Sequence, residues 1–274
     1  MDVHTLKQQS VRYRKLILRM IKQAKAGHTG GSLSCIDILN VLYNHTMKIT
    51  PENFTSSDRD HYIQSKGHAV EALYAVLVDQ GFFPEAELET LNQFQSHFVG
   101  HPTRKVNGVE HNTGALGHGL SVSVGIALGL KHKGQAHRVF TLLGDGELAE
   151  GSSWEALMSA SHYRLDNLVI IIDRNSLQIT GATEEVMSLE PLALRLAAFG
   201  CAVHECDGNQ IEALVHTFDK VPFEIGKPNV LIAHTTKGSG ISFMENTVKW
   251  HHKVPTDAEY ELALAELNHA EATL

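Results

Sequence analysis

Positive charge is the first thing this chain is short of. Its 274 residues carry 23 Lys and Arg against 31 Asp and Glu, a formal net charge of −8. Nucleic acid is held by a basic face, so this balance argues against a nucleic-acid partner. Cysteine is scarcer still. Cys35, Cys201 and Cys206 are too few and too unevenly placed for a disulfide framework, which fits a reducing compartment. No apolar run approaches the roughly 20 residues needed to cross a bilayer. The N-terminal stretch MDVHTLKQQSVRYRKLILRMIKQAKAGHTGG alternates charge and hydrophobe at helical spacing and lacks a signal-peptide core. The expectation is a cytoplasmic protein with no membrane contact. No internal repeat, low-complexity tract or Pro/Gly linker divides the sequence, so one domain over 1–274 is expected.

What is present is a run of short apolar segments. Val11, Ile17, Leu18 and Ile21 predict a first amphipathic helix closed by Gly27, and a second helix is predicted from Cys35 to Met47. Strands are predicted at HYIQS (61–65), RVFTLL (138–143), LVIIID (168–173), AVHEC (202–206) and NVLIAHTT (229–236). These are continuous apolar runs with helical patterns between most of them. That is the mark of a mostly parallel central sheet with helices on both faces, an α/β fold. Thr256 followed by Glu259 gives a capping-box signal for a terminal helix over 256–274, with Leu262, Leu264 and Leu267 on its apolar side.

GDGELAEGSSWEALMSASHYRLDNLVIIIDRN, from Gly144 to Asn175, reads as strand end, helix, strand, with Trp154, Leu157, Met158 and Ser161 predicted on one helix face. A crossover of this length makes the flanking strands parallel and, by default, adjacent. Asp145 and Asn175 then emerge together at the carboxyl edge of the sheet, where open α/β folds bind ligands. An Asp carboxylate and an Asn carbonyl are hard oxygen donors, suited to Mg²⁺ or Ca²⁺ that keeps further sites for phosphate oxygens. Gly146 removes a side chain where a bulky diphosphate would come close. Each half alone is also an ordinary strand-end or Asx turn; the pair across one βαβ unit points to a metal and a diphosphate.

The stretch GDGELAEG…IIIDRN resembles the thiamine diphosphate motif, which begins at Gly-Asp-Gly and closes on an Asn. AGHTGGSLS (26–34), SKGHA (65–69), GHPTR (100–104), GALGHG (114–119), DGN (207–209) and KGSGISFMENTVKWHHKVP (237–255) narrow the likeness to the diphosphate-binding domain of transketolases. It begins near residue 10 and stops near residue 268, with no segment resembling the pyrimidine-binding or C-terminal domains of that family. The sequence is therefore most similar to the N-terminal subunit of a split transketolase.

The resemblance implies a set of roles. Asp145, Asn175 and the backbone carbonyl of Leu177 would ligate the metal, Mg²⁺ or alternatively Ca²⁺ or Mn²⁺. Gly146, Gly114, Leu116, His68 and His251 would lie along the cofactor. His28 and His101 would face its reacting end and the sugar, and with His68 and His251 form the catalytic histidines. Glu150 would couple paired active sites across an interface. His252 stands where the family usually has Gly. The implied activity is transfer of a two-carbon ketol group from a ketose, expected to be phosphorylated, to an aldose, with a C-terminal subunit completing each active site in a heterotetramer. The rival readings are a non-catalytic cofactor-binding or regulatory subunit, and another enzyme of the cofactor class such as 1-deoxyxylulose-5-phosphate synthase. A zinc site using His97 and His101 is disfavoured by Gly100 and Pro102, and a nicotinamide site by the glycine spacing.

Overall fold

The computed structural model describes residues 1–274. Two helices open the chain, α1 (Val3–Ala24) and α2 (Thr29–Val41), the second followed by one π turn over Leu42–Thr46. β1 (His61–Gln64) runs through a short 3-10 turn at Gly67–Ala69 into α3 (Val70–Asp79). A long connection then reaches α4 (His118–His132) and β2 (Val139–Gly144). Next come α5 (Gly151–His162), β3 (Leu168–Arg174), and a small ribbon of β4 (Leu177–Gln178) with β5 (Gly181–Ala182). The chain continues through α6 (Thr183–Val186), α7 (Leu192–Ala198), β6 (Ala202–Asp207), α8 (Ile211–Phe218), β7 (Asn229–His234) and α9 (Asp257–Thr273).

Five strands form one all-parallel sheet in the order β1-β2-β3-β7-β6. Successive side chains on a strand point to opposite faces, and each face has its own core. Phe140, Leu142, Val169, Ile171, Leu231 and Ala233 join one cluster with α1, α2, α3 and α8. Their neighbours Val139, Leu143, Leu168, Ile170, Ile172, Val230 and Ile232 join the other, with α4, α5 and α7. All five predicted strands are present, and the α/β class is as expected. No helix is long and apolar enough to cross a membrane.

Three helix details differ from the sequence reading. The second helix begins at Thr29, not Cys35, so Gly30 and Gly31 lie in its first turn. A glycine pair looks like a breaker, but here it serves close packing: a Cβ on Gly30 would sit 2.9 Å from the Trp250 carbonyl oxygen and 3.1 Å from Lys237 Cγ. On α5 the buried side is Ser153, Ala156, Leu157 and Ala160, while Met158 is 62% exposed. α5 packs against α4, and small residues make up most of its buried side. In α9 the capping box forms as expected, Glu259 N donating to Thr256 Oγ1 and Thr256 N to Glu259 Oε2. Its buried residues are Ala263 and Leu267, whereas Leu262 points outward.

Candidate active site

The register of β2 and β3 puts Gly144 level with Asp173, so Asp145 and the Arg174-Asn175 pair leave the sheet side by side at its carboxyl edge. Asp145 is buried and anchored: Oδ1 accepts from Gly146 N (2.8 Å), and Oδ2 accepts from Ser176 N (2.6 Å) and from Arg174 Nη1 (3.1 Å). Burial, then the charge of Asp173, pushes its pKa up. Asn175 Oδ1 accepts from Leu177 N at 3.2 Å, and the Leu177 carbonyl accepts from Lys237 Nζ at 3.1 Å. One carboxylate, one amide oxygen and one backbone carbonyl thus converge on a single edge. This is a hard oxygen set of the kind Mg²⁺ or Ca²⁺ takes beside phosphate.

These groups line a cavity of about 440 Å³. The expected residues His28, His68, His101 and His251 line it together with Gly114 and Leu116, Asp145 and Gly146, and Asn175 and Leu177. Three separate turns deliver the histidines. His28 immediately precedes α2, His68 sits in the 3-10 turn before α3, and His251 ends the short 3-10 turn Val248–His251. His101 comes from the connection before α4. At the start of α4, Gly117 adopts φ 82°, and a Cβ there would collide with Ser152 Oγ at 2.5 Å and Glu150 Cβ at 2.6 Å. Glycine is therefore required at that turn. Glu150 itself is exposed at the start of α5 and lies outside the cavity lining.

The imidazoles form a cluster with His28 at its centre. Its ring centroid is 5.3 Å from that of His68, 5.7 Å from His251 and 6.2 Å from His101. His68 and His251 stack at 5.5 Å. Burial first, then neighbouring positive charge, pushes the pKa of His28 down to about 4 and that of His251 to about 3. Burial also lowers His68 and His101. Neutral imidazoles result at neutral pH, each able to donate through one nitrogen and accept through the other. Nδ1 of His28 and Nδ1 of His251 are buried without any partner. Such orphaned atoms at a cavity wall mark where a polar ligand belongs.

Three charged residues escaped the sequence reading. Lys66, in SKGHA, is buried and bonded to Asp173, to Ser34 Oγ (3.2 Å) and to the Gly31 carbonyl (2.8 Å). Burial opposes its charge, but Asp173 holds the ammonium ionised. Lys237, in KGSGIS, lines the cavity, and burial and then the Lys66 charge bring it down to about 8. Glu147 accepts from Ser65 Oγ, Gly117 N (2.8 Å) and Gly144 N (3.1 Å), tying together the turns after β1, before α4 and after β2. Both lysines lie inside glycine-bearing segments at strand ends, which was the available signal. A diphosphate fits this edge: two lysines, unpartnered imidazole nitrogens and an oxygen set for a divalent ion face one space.

The fold and cavity define the class: an α/β protein with a cavity lined by oxygen donors, lysines and imidazoles at the carboxyl ends of parallel strands. Residues 6–268 match the family described as transketolase, thiamine diphosphate binding domain, and the chain belongs to that family. It is 49% identical, over 98% of its length and 95% of the relative's, to an apulose-4-phosphate transketolase subunit of Phocaeicola vulgatus. Identity is 40%, over 93% of each chain, to a 6-deoxy-6-sulfo-D-fructose transketolase subunit of a Clostridium species. Among solved structures, transketolase of Campylobacter jejuni superposes with a TM-score of 0.87 at 29% identity, covering 100% of this chain and 48% of that one. A Pichia stipitis transketolase in complex with xylulose 5-phosphate gives 0.91 at 26% identity, covering 98% and 43%. The chain thus spans less than half the length of these solved transketolases.

Proposed function

We propose that this chain is the diphosphate-binding subunit of a two-subunit transketolase. It would move a two-carbon ketol group from a ketose, phosphorylated in the favoured case, to an aldose. The observation that carries this reading is the meeting of Asp145, Asn175 and the Leu177 carbonyl with four histidines in one cavity. Relatives named as transketolase subunits match over nearly their whole length, which supports the split arrangement.

Asp145, Asn175 and the Leu177 carbonyl would hold the divalent cation, and Lys66, Lys237, His68 and His251 would face the diphosphate, with Gly114, Leu116 and Gly146 along the cofactor. When bound, thiamine diphosphate supplies the electron sink that lets a carbon–carbon bond of the ketose break. This chain's own work is to orient and to handle protons. Neutral His28 and His101 donate hydrogen bonds to substrate oxygens where negative charge develops, and return protons on release. Their low pKa values keep a donor and an acceptor available across the physiological range.

We assign the whole of residues 1–274 to one domain, with 256–274 as its terminal helix, and infer that a second subunit brings the pyrimidine-binding half of each site. On α4 the outer positions Ser121 and Gly125 are exposed, and nothing lies within 4 Å of a Cβ placed on Gly125 or Gly129. That shallow face suits close approach of another diphosphate-binding chain, and with exposed Glu150 nearby it supports a heterotetramer. The three cysteines are free thiols, consistent with the cytoplasm we assign.

The test is reconstitution. The chain alone, the partner alone and the mixed pair are incubated with Mg²⁺, thiamine diphosphate, a ketose phosphate and an aldose, and separately with pyruvate. Ketol transfer by the pair only is the expected result. Carbon dioxide from pyruvate would replace this reading with that of a decarboxylating relative, and cofactor binding without turnover would replace it with a binding subunit.

A further inference from the structure

His252 is not among the cavity-lining residues, yet its ring is the nearest of all to His28, with centroids 4.5 Å apart and planes tilted by 58°. The corresponding separations of His28 from His68, His251 and His101 are all longer. His252 is exposed, whereas His28 and His251 are partly covered and each leaves a buried Nδ1 without a partner. Of the five rings His252 alone is exposed, His28, His68, His101 and His251 being partly covered; His68 and His251 stack on each other, and His252 packs on His28 from the solvent side.

We infer that His252 is a substrate-reading residue, contacting a hydroxyl of the sugar chain beyond the carbons held at His28. This rests on the transketolase reading above, since it is the substrate of that reaction that would enter past this ring. The chemistry is suited to it. A ketose or aldose is a chain of vicinal hydroxyls, each both donor and acceptor, and an imidazole offers the same pair of functions. A ligand that reaches His28 from solvent on this side passes within contact range of His252. The backbone is fixed there as well: Trp250 is buried, its indole nitrogen donates to the Phe243 carbonyl at 3.1 Å, and Lys253 stacks on its ring at 4.3 Å. The imidazole is thus carried on an anchored turn and not on a free loop.

Packing against His28 is the competing role, and the variants separate the two. H252F keeps a ring against His28 and loses both hydrogen-bonding nitrogens; H252N keeps a donor and an acceptor and loses the ring; H252A loses both. All are assayed in the reconstituted two-subunit enzyme, with KM for ketose and aldose, kcat, cofactor affinity and affinity for the partner chain measured separately. One net hydrogen bond corresponds to roughly fivefold to tenfold in affinity. The expected result is a rise of about that size in KM for one sugar substrate in H252A and H252F, smaller in H252N, with the loss in kcat/KM arising through KM and cofactor affinity unaltered. Wild-type kinetics in H252F, or a loss confined to the binding of cofactor or partner chain, would overturn the assignment. A wild-type pair that transfers no ketol group would instead overturn the functional reading, and so the two failures are distinguishable.

Discussion

Asp145 shows how little of a site one residue needs to reveal. Its position is set by a strand end, its carboxylate is held by three donors, and the metal role proposed for it rests on the oxygen atoms of Asn175 and Leu177 beside it. A ligand at a hundred times its Kd stabilises the native state by about 2.7 kcal/mol. In the assembled pair, thiamine diphosphate with Mg²⁺ is expected to give a gain of that order in thermal unfolding, and D145A to abolish it; an unchanged gain would remove Asp145 from the ligand set. The Asp145–Asn175 pair was legible in sequence because a βαβ unit converts chain separation into proximity. Lys66, Lys237 and Glu147 were not, because lysines and glutamates are ordinarily solvated, and only the folded chain shows what desolvates them. Glu71 makes the same point. It is fully buried, accepting from Ser32 Oγ at 2.8 Å and weakly from His28 N at 3.4 Å, and burial lifts its pKa to about 7. Below pH 4.5 both folded and unfolded chains hold its proton. Between there and pH 7 the unfolded chain releases it first, so this group's contribution to stability falls as pH rises and is fully lost above pH 7. E71Q should therefore raise the melting temperature at pH 8 and make little difference at pH 4.5, as read by calorimetry across that range.

Among elements, α2 is the one most closely tied to the proposed site. His28 immediately precedes it, and its first turn approaches Trp250 and Lys237 through Gly30 and bonds Lys66 through the Gly31 carbonyl. G30A places a methyl group against the Trp250 carbonyl, and backbone cannot step aside as a flexible side chain can. Overpacking of this kind costs about 1–3 kcal/mol. The expected outcome for G30A is a loss in that range on chemical denaturation, together with weaker cofactor binding because His251 is displaced. Full cofactor affinity in G30A would show that the 248–251 turn does not depend on α2. Strands were the easily read elements, above all β2, β3 and β7, whose continuous apolar runs are buried on both faces. Helix boundaries and faces were harder. In α2 the glycines answer to a neighbour distant in sequence, and in α5 the buried Ser153, Ala156 and Ala160 carry no strong hydrophobic signature, while Met158 does and is exposed.

At the scale of the molecule, two cores are divided by one parallel sheet, and only the starts of α2, α3 and α4 reach its carboxyl edge. The outer helix α9 runs antiparallel to α1, with Lys22 paired to Asp257 and Lys15 to Glu271. Its last residues share a groove with Lys7, Ser10 and Val11, so the beginning and end of the polypeptide emerge on one flank. Gly134, in the exposed turn that leads into β2, lies at the opposite, amino end of the strands from Asp145. The topology is thereby close to a ring. A linker of about eight residues from Leu274 to Met1 should join the ends, and new ends opened at Gly134 should leave circular dichroism and partner-dependent turnover intact. Loss of folding on that rewiring would mean that the order in which the chain is threaded, and not the set of contacts alone, directs it to this architecture.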